Sequence, residues 1–389
     1  MKKVLLAFLT CICALALFAC GKGGTKIGFI FLHDEKSTYD KNFIEAAKDA
    51  CKEAGVTAML KVNVPEGEEC YNAAKELVSK GCKGVFADSF GHEEYLIRAA
   101  KEYKKVQFAH ATGTHAHTEK LDNFHNAFAS IYEGRYVAGI AAGMKLNEMI
   151  TNGDITAAQA KIGYVGAFPY AEVVSGFTSF YLGARSVCPS ATMTVRYTNS
   201  WYDETAESTT ATTLIDSDKC VLISQHADSQ GAPSVCQNKK VPNVFYNGEN
   251  LALEDSYLTS SRINWRPFFK EFIDSIVNNK KMDYDWTGTI ENGAVEVFKA
   301  NTKIAAAGTQ DAMDKAIADI KAGKIKVFAT NTFTVKGAEV TTYKADVDDM
   351  GDYKGETEVI SGGYFHESEY RSAPYFDLRI DGITEYIED

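Results

Sequence analysis

Residues 26–64 read KIGFIFLHDEKSTYDKNFIEAAKDACKEAGVTAMLKVNV, and this stretch decides the fold. Its apolar run from Ile27 to Leu32 predicts a buried strand, and the amphipathic stretch around Asn42 to Ala54 predicts a helix. Gly55 is expected to end that helix, because glycine readily adopts the left-handed conformation of a helix cap. A second strand over Val56 to Val64 completes a strand–helix–strand unit. Units of this length are typical of a parallel sheet with helical crossovers.

The same alternation continues and then repeats. The first half adds a helix over Glu66 to Lys80, a strand over Gly84 to Asp88, a helix over His92 to Tyr103 and a strand over Val106 to His110. The pattern restarts at Lys161, with strands predicted over 162–166, 192–198, 221–225 and 244–246. Two α/β lobes with a cleft between them fit this repeat better than one very wide sheet. We assign residues 26–145 plus about 260–285 to lobe one, and 146–259 plus about 286–389 to lobe two.

The composition is that of a folded globular chain. Of 389 residues, 45% are hydrophobic and 24% are charged, and seven prolines leave little room for a long linker. The formal net charge is −11, so sequence-independent binding to a nucleic-acid backbone is not expected.

The N-terminus has the features of an export signal. Two lysines precede an apolar run from Val4 to Ala19 that is too short to span a bilayer comfortably. The tetrapeptide at 17–20, Leu-Phe-Ala-Cys, resembles a bacterial lipobox. It predicts a signal peptide over 1–19, lipidation of Cys20 and a tether over 20–25. The protein would then be attached to the cell membrane by its lipid and face the periplasm or the cell exterior. An ordinary signal peptide with an incidental cysteine is the alternative.

Six of the nine cysteines follow this segment. Cys51 and Cys82 stand in lobe one where Cys188 and Cys220 stand in lobe two, each pair joining a helix end to a strand start. The repeat predicts that each pair is close in space, and an exported protein could oxidise them to disulfides. Buried free thiols are the alternative.

Aromatic and polar residues follow the predicted strands. Ligands of open parallel sheets bind beyond the carboxyl ends of the strands, so these residues are candidates for a binding site. Aromatic rings from two lobes can sandwich a flat heterocycle, and carboxylates and amides can read its edge. The candidates are Tyr39, Asp40, Ser89 and Phe90 in lobe one, and Phe168, Trp201, Tyr202, Asp228, Asn247 and Glu249 in lobe two.

Several stretches in a specific order resemble the basic membrane protein family of lipoproteins. They include FIFLHD at 29–34, DSFG at 88–91, YEGRY at 132–136, NSWYD at 199–203 and QHADS at 225–229. The family supplies the substrate-binding component of ABC importers for purine nucleosides or bases. The resemblance implies an α/β type I periplasmic-binding fold, with two Rossmann-like lobes, three crossovers and a ligand cleft. It also implies a monomer that needs no cofactor and delivers its ligand to an ABC permease.

Two positions depart from the family pattern. The family commonly has an aromatic residue where Ser37 stands, with Tyr39 following two residues later. Nucleoside-binding relatives carry an aspartate after the last strand of lobe two, where this chain has Asn247-Gly248-Glu249. These departures favour a nucleobase without ribose. The stretch 256–265 resembles the crossover that returns to lobe one, which adds Trp265 to the candidate site.

Three other functions are weighed against ligand capture. His33 with Asp34, or His226 with Asp228, could be an acid–base pair, but neighbouring strand residues point to opposite faces. His115 and His117 could chelate zinc, although a solvated loop is the simpler interpretation, and no metal site is predicted. A surface or ligand-sensing lipoprotein that binds a sugar or amino acid without a transporter stays open, since one fold can serve either purpose.

Overall fold

The computed structural model describes residues 24–348 and 354–387. The strands in chain order are β1 Lys26–Ile30, β2 Thr57–Lys61, β3 Cys82–Ala87, β4 Gln107–Ala111, β5 Phe124–Ala129, β6 Lys161–Gly166, β7 Thr192–Tyr197, β8 Leu222–Gln225, β9 Asn243–Tyr246, β10 Tyr257–Ile263, β11 Asp285–Gly288, β12 Val295–Val297, β13 Lys344–Ala345, β14 Thr357–Glu358, β15 Ile360–Ser361, β16 Tyr364–Phe365 and β17 Ile383–Tyr386. The helices are α1 Thr38–Ala54, α2 Glu68–Ser79, α3 Glu93–Glu102, α4 Ala116–Glu119, α5 Ile131–Asn152, α6 Ala171–Val187, α7 Glu204–Asp216, α8 Gly231–Lys239, α9 Arg266–Asn278 and α10 Thr309–Lys321.

Two sheets form two lobes, as the alternating sequence predicts. The first sheet has the order β11-β5-β4-β3-β1-β2 with parallel neighbours throughout. The second has the order β12-β10-β9-β8-β6-β7-β17, and only β12 runs antiparallel to its neighbour. Apolar residues of α1 and the strands bury one face of the first sheet, and those of α2 and α3 bury the other.

Local sequence signals set the ends of α1. The Ser37 side chain accepts a hydrogen bond from the Asp40 backbone N–H, which caps the first turn. Gly55 ends the helix with φ of 66°, so the predicted stop is confirmed. This cap fixes Tyr39 and Asp40 at the first turn of the helix, directly beyond the carboxyl end of β1.

Helices α5 and α6 pack closely because both carry glycine at the contact. A Cβ atom on Gly139 would lie 2.0 Å from the Phe180 carbonyl oxygen, and one on Gly183 would lie 2.0 Å from the Tyr136 carbonyl oxygen. The glycine and alanine spacing of α5 therefore serves tight helix packing. Since α6 belongs to lobe two, this contact assigns α5 to lobe two from Ile131 onward, earlier than the boundary drawn at 145.

The chain crosses between the sheets three times before its C-terminal segment. The crossings lie at Ser130, at 264–265 and at 288–294, and the Ser130 N–H donates to the Gly288 carbonyl at 2.7 Å. Strand β10 stays in the second sheet to Ile263, and α9 and β11 extend lobe one to Gly288. These three crossings and two parallel sheets confirm the expected type I architecture.

The residues after α10, 322–387, are called the C-terminal segment. Its described residues, 322–348 and 354–387, contain little regular structure, and β17 adds a parallel edge strand beside β7 of lobe two. Ser372 donates from its backbone N–H and its hydroxyl to Asp285 Oδ1 of lobe one, at 3.0 and 2.7 Å. The segment is therefore tied to both lobes.

The predicted disulfides are wrong, because all six cysteines of the described residues are free and buried. Cys51 packs in the cluster that contains Phe29, whereas Cys82 packs in the cluster that contains Ile30. Consecutive strand residues face opposite sides of a sheet, so the two thiols lie on opposite faces. Lobe two repeats this arrangement, with Cys188 and Cys220 in different clusters. The sequence repeat reflects matching positions in the two lobes.

The predicted signal peptide and Cys20 lie outside the described residues. Within the described ranges, no helix combines the length and apolar character needed to cross a membrane.

Candidate ligand-binding site

A cavity lies between the lobes, where the carboxyl ends of both sheets face each other. It encloses about 440 Å³ of empty volume and is called the inner cavity. Both lobes contribute aromatic rings, hydroxyls and carboxyl groups to it. Its lining consists of Leu32, His33, Tyr39, Asp40, Ser89, Phe90, Thr112, Glu172, Trp201, His226, Asp228, Tyr246 and Asn247.

The structure brings together seven of the eleven residues selected from the sequence. Lobe one contributes the hydroxyl and carboxyl groups of α1 and the second and third residues after β3, and lobe two contributes residues that follow β7, β8 and β9. The seven are Tyr39, Asp40, Ser89, Phe90, Trp201, Asp228 and Asn247.

Two other candidates lie beside the inner cavity without lining it. Phe168 packs edge-on against Trp201, with ring centroids 5.2 Å apart, and so supports that indole from behind. Tyr202 contacts His33 of lobe one at a centroid distance of 5.7 Å. It therefore bridges the lobes next to the cavity.

The remaining two candidates lie away from the inner cavity. Trp265 is 1% exposed and stacks on Phe43 at a centroid distance of 4.2 Å, inside the core of lobe one. Its position at the start of α9 turns the ring toward α1, so its assignment to the cleft is corrected. Glu249 is exposed on the loop after β9, whereas Asn247, two residues earlier, is buried at the cavity.

The lobe-one wall is held by hydrogen bonds to Asp40. Its Oδ1 accepts from the His33 backbone N–H at 2.8 Å, and its Oδ2 accepts from the Ser37 hydroxyl at 2.6 Å. His33 Nδ1 lies 3.4 Å from the same carboxylate. Burial alone would raise the pKa of Asp40, but these donors, led by the His33 side chain, lower it below its ordinary value. Asp40 is a carboxylate whose acceptors are already satisfied within lobe one.

Behind this wall, Asp88 is a fully buried carboxyl group. Its Oδ1 accepts from the Leu32 N–H at 3.1 Å, and its Oδ2 has no hydrogen-bond partner among the described residues. Burial and the neighbouring Asp40 charge raise its pKa well above the ordinary value, which favours the protonated form. The Tyr39 hydroxyl donates to the Asp88 carbonyl oxygen at 2.7 Å, so this aromatic ring is anchored at its far end.

The lobe-two wall has an aromatic half and an acidic half. Trp201 is half-buried against Phe168 and Tyr170, with ring centroids 5.2 and 6.2 Å away, and those two rings stack on each other at 5.1 Å. Glu172, in the first turn of α6, places its Oε1 3.3 Å from His226 Nε2. Burial lowers the pKa of His226 even though Glu172 opposes that shift, so the imidazole is a neutral polar group.

Asp228 and Asn247 offer hydrogen-bonding groups to a ligand. Burial, and then the charges of Asp40 and Glu207, raise the pKa of Asp228 well above its ordinary value. The Asn247 Nδ2 donor is buried, and none of the residues that the structure describes offers it an acceptor in hydrogen-bond geometry, although its amide stands close enough to Asp228 to favour the carboxylate form. Buried polar groups rarely stay without partners. These two side chains are therefore suited to bind a polar ring edge.

Direct contacts close the cleft around the inner cavity. The Thr38 hydroxyl of lobe one donates to the Asp228 carbonyl oxygen at 3.2 Å. The Asn42 Nδ2 of lobe one donates to the Asn247 carbonyl oxygen at 2.9 Å. Hinged two-lobe proteins make contacts of this kind in their closed state.

A buried arginine supports the floor of lobe two. Arg135 of α5 donates from Nη2 to the Tyr164 hydroxyl and the Ser224 hydroxyl, both at 2.9 Å. Its guanidinium also lies 4.9 Å from the centre of the Tyr246 ring, which lines the inner cavity. This cation ties the crossover helix to the strand ends that carry the site.

Sequence reasoning missed six residues of the lining, namely Leu32, His33, Thr112, Glu172, His226 and Tyr246. Tyr246 ends a strand, Thr112 and His226 directly follow one, and Leu32 and His33 lie two and three residues beyond β1, so the rule on carboxyl ends could have found these five. Glu172 has a weaker signal, because it lies within the first turn of a helix.

The histidines considered for other chemistry have structural partners. His33 pairs with Asp40, and Asp34 instead accepts from the Lys36 N–H at 3.0 Å. In the histidine-rich loop, His115 Nδ1 lies 2.8 Å from Glu93 Oε2 and His117 Nδ1 lies 3.4 Å from Asp285 Oδ2. Each ring therefore faces a carboxylate of lobe one.

Two known proteins are similar in sequence to this chain. A purine-binding protein from Brucella abortus (strain 2308) is 30% identical over 279 residues, which cover 68% of this chain and 73% of that protein. A putative ABC transporter glucose-binding protein from Haloferax volcanii is 34% identical over 212 residues, covering 52% of this chain and 49% of that protein.

A solved structure shares the fold at low sequence identity. An ABC transporter solute-binding protein from Conexibacter woesei has a TM-score of 0.63 and 16% identity, covering 78% of this chain and 98% of that protein. Residues 29–330 match the family described as ABC transporter substrate-binding protein PnrA-like. Because this match spans both lobes and every strand end that lines the inner cavity, the chain belongs to the PnrA-like family of ABC transporter substrate-binding proteins.

Proposed function

We propose that this protein is a membrane-anchored lipoprotein of an ABC importer, and that it captures a purine nucleoside or nucleobase between its lobes. Members of its family bind a small ligand and deliver it to a permease. In the proposed cycle, a monomer closes on the purine, excludes water and presents the closed form to the permease. Ligand favours closure to the extent that it binds the closed form more tightly.

The observation that carries the purine proposal is the combination of groups around the inner cavity. Trp201 offers a wide flat face from lobe two, and Tyr39 and Phe90 offer aromatic faces from lobe one. Asp228 and the unpartnered Asn247 amide supply an acceptor and a donor at the same cavity. A purine presents two faces for stacking and an edge with donors and acceptors. The Brucella relative, described as purine-binding, supports the same class of ligand.

Isothermal titration against one panel of ligands tests this proposal. The panel contains adenine, guanine, hypoxanthine, their nucleosides, glucose and several amino acids. We expect saturable one-to-one binding of at least one purine compound and none of the amino acids. Binding of glucose without any purine would favour the second candidate, a sugar-binding lipoprotein, which the description of the Haloferax relative motivates.

The lipid anchor is a separate part of the proposal. It rests on the lipobox-like sequence that ends at Cys20, which precedes the described residues. Mass spectrometry of the mature protein from membranes is expected to find an acylated N-terminal Cys20, and Cys20→Ser is expected to release the protein into the soluble fraction. An unmodified N-terminus at another residue would contradict the anchor and leave the purine proposal unaffected.

A further inference from the structure

A second cavity lies at the hinge, and we call it the hinge cavity. It encloses about 720 Å³ of empty volume, including space open to solvent. Ser130 and Thr289 line it, and they belong to two of the three crossings between the sheets. Among the described residues, none lines both the hinge cavity and the inner cavity. The two cavities are therefore separate spaces.

The walls of the hinge cavity come from both lobes and from the C-terminal segment. Thr287 of β11 belongs to lobe one, and Tyr132 of α5 belongs to lobe two. The Thr287 hydroxyl donates to the Ser368 carbonyl oxygen at 3.4 Å. The Tyr132 hydroxyl donates to the Glu367 carbonyl oxygen at 3.3 Å, and the two bonds hold residues 364–369 against the cavity. The family match ends at residue 330, so this wall lies outside the matched part of the chain.

Two buried side chains of this wall have polar atoms without hydrogen-bond partners. Ser368 is 5% exposed, and its Oγ has no partner among the described residues. Glu367 is 1% exposed, and its Oε2 accepts from the Tyr375 N–H at 3.2 Å. Within the described ranges, no group meets Glu367 Oε1 in hydrogen-bond geometry. Buried polar atoms are almost always bonded, so these two oxygens point to a ligand that supplies N–H or O–H donors.

Glu133 brings a second carboxyl group to the hinge cavity. Its Oε2 accepts from the Ile290 N–H at 2.7 Å, which ties the first turn of α5 to the third crossing. Burial, together with the nearby charge of Glu291, raises the pKa of Glu133 to about 7. The Ile290 N–H and the charges of Lys326 and Lys321 oppose that rise. A positively charged ligand would favour the ionised form of Glu133.

The pKa of Glu367 is raised in the same way. Burial raises it to about 7, while the Ser175 hydroxyl, the Tyr375 N–H and the charge of Arg371 oppose the rise. Both carboxyl groups of the hinge cavity are therefore partly protonated near neutral pH. Each would release its proton on binding a cation, because a neighbouring positive charge stabilises the carboxylate.

Aromatic rings and one lysine complete the polar and apolar lining. Tyr132 and Phe328 pack with ring centroids 5.2 Å apart. Lys326 Nζ lies 4.6 Å from the centre of the Tyr364 ring, so an aromatic face at this cavity already holds an ammonium group of the chain itself. A third carboxylate, that of Glu369, is exposed and pairs with a neighbouring histidine. The lining thus combines aromatic faces with more carboxyl groups than ammonium groups.

We propose that the hinge cavity is a second binding site, for a small organic cation that carries a primary ammonium group. The three N–H donors of that group match the carboxyl oxygens of Glu133 and Glu367 and the Ser368 hydroxyl, and the aromatic rings cover its alkyl part. An anion would face two carboxyl groups, and a quaternary ammonium would bring no N–H donor. The inference is independent of the purine proposal, because the two cavities share no described lining residue.

Titration of the purified protein with propylammonium chloride near pH 8 tests this site. Sodium propionate, 1-propanol and tetramethylammonium chloride are titrated in the same way, since each lacks either the positive charge or the N–H donors. We expect saturable one-to-one binding of propylammonium, at least about tenfold tighter than that of any comparison compound, the equivalent of 1.4 kcal/mol. Near pH 5.5, below the raised pKa values of Glu133 and Glu367, the affinity should fall about tenfold, because protonated carboxyl groups carry no charge.

Glu133→Gln and Glu367→Gln are each expected to weaken propylammonium binding about tenfold near pH 8, whereas Lys326→Met should strengthen it about threefold by removing a like charge. The matched control is Glu207→Gln. Glu207 is also a buried glutamate whose pKa is raised by burial to about 7, and it lines neither cavity. This control should leave the affinity unchanged. Should Glu367→Gln fail to fold, Glu133→Gln decides, since Glu133 is only half-buried.

Three results would overturn the inference. The first is no saturable binding of propylammonium, or an affinity in both glutamate variants equal to that of the wild type. The second is tighter binding of propionate that Lys326→Met abolishes, since the cavity would then be an anion site. The third is equal binding of tetramethylammonium, which would leave the buried acceptors without a role. Purine titrations of the same protein decide the proposed function separately, because failure at one cavity leaves the other unaffected.

Discussion

The two walls of the cleft use the same residue types in different ways. In lobe one, Trp265 is buried in the core and Asp40 has its acceptors filled by His33 and Ser37. In lobe two, Trp201 is half-buried at the inner cavity, and the Asp228 carboxyl has a raised pKa. In lobe one, these two side chains therefore stabilise the lobe itself. Lobe two leaves the equivalent groups available to a ligand.

This difference shows that residue type and proximity to the cleft do not define a binding residue. A buried carboxylate with a full set of donors gains little from a ligand, because it already has hydrogen-bond partners. A carboxyl group that lacks them gains from any donor that a ligand brings. Four substitutions test the contrast, and they are ordered by the size of the expected effect.

Trp265→Ala is expected to lower the free energy of unfolding by about 3–5 kcal/mol, because it removes a large side chain from a close-packed core. Its stacking partner Phe43 would lose its contact at 4.2 Å. Urea denaturation measures the loss, and titration at low temperature measures purine affinity in the folded fraction. We expect that affinity to be unchanged. A large loss of affinity at normal stability would return Trp265 to the site.

Trp201→Ala is expected to weaken purine binding by about 2–4 kcal/mol, the scale of a central aromatic anchor. Isothermal titration measures the affinity, and a melting curve confirms that the variant is folded. Trp286→Ala is the matched control, since Trp286 is also half-buried but packs on Phe268 in lobe one. That control should lose stability and keep its affinity. Unchanged affinity in folded Trp201→Ala protein would mean that the purine site is misplaced.

Asp40→Asn is expected to destabilise the protein by about 1.5–3 kcal/mol at pH 7, the range for hydrogen bonds to a charged group. The folded-state pKa of Asp40 lies below its ordinary value. The contribution of this carboxylate to the free energy of unfolding is therefore complete above the unfolded-state pKa of about 4. The contribution is lost as the pH falls through the lower folded-state pKa. Urea denaturation of both proteins at pH 7 and near pH 3 should show the difference shrinking in acid. A constant difference would exclude Asp40 ionisation as its source.

Asp228→Asn is expected to change stability less than the other substitutions do. The change is expected to be a gain in stability, whereas Asp40→Asn causes a loss. The folded-state pKa of Asp228 is raised, so between the unfolded and folded pKa values the folded state holds more protons. The contribution of Asp228 to the free energy of unfolding therefore falls as the pH rises through that window. Asparagine does not ionise, so the variant does not show this pH-dependent loss. Melting curves from pH 4 to pH 8 should show the variant gaining relative to the wild type as the pH rises. Purine affinity should decrease, because an NH2 donor replaces one of the two carboxyl oxygens that can accept a hydrogen bond from the ligand. A stability gain without that loss would place Asp228 outside the ligand contacts.

Sequence patterns selected seven of the thirteen residues that line the inner cavity, because strand order and strand ends follow from local rules. Tyr39, Asp40 and Trp201 all come shortly after a buried strand, and parallel strands bring their carboxyl ends to one edge. The same rule could not separate Trp201 from Trp265. The second tryptophan starts α9, and its direction depends on how that helix packs against Phe43 of α1. Helix packing of this kind depends on side chains far apart in the sequence.

The cysteine prediction was wrong for a related reason. Cys51 and Cys82 occupy equivalent positions to Cys188 and Cys220, so the repeat was real. Equivalence in the repeat says where each residue lies along its element, but not which face of the sheet it occupies. The face depends on the register of each strand and on the side to which each helix crosses.

The sequence by itself determined the two parallel sheets, the edge of the sheets at which the inner cavity forms and the aromatic character of that edge. These properties follow from hydrophobic periodicity and helix caps, which act over a few residues. Only the tertiary structure decided that Trp201 lines the cavity while Trp265 is buried, that Glu172 joins the site, and that the C-terminal segment contacts both lobes. Each of these facts depends on contacts between residues far apart along the chain, such as Ser372 with Asp285, and local patterns carry no information about which distant surfaces meet.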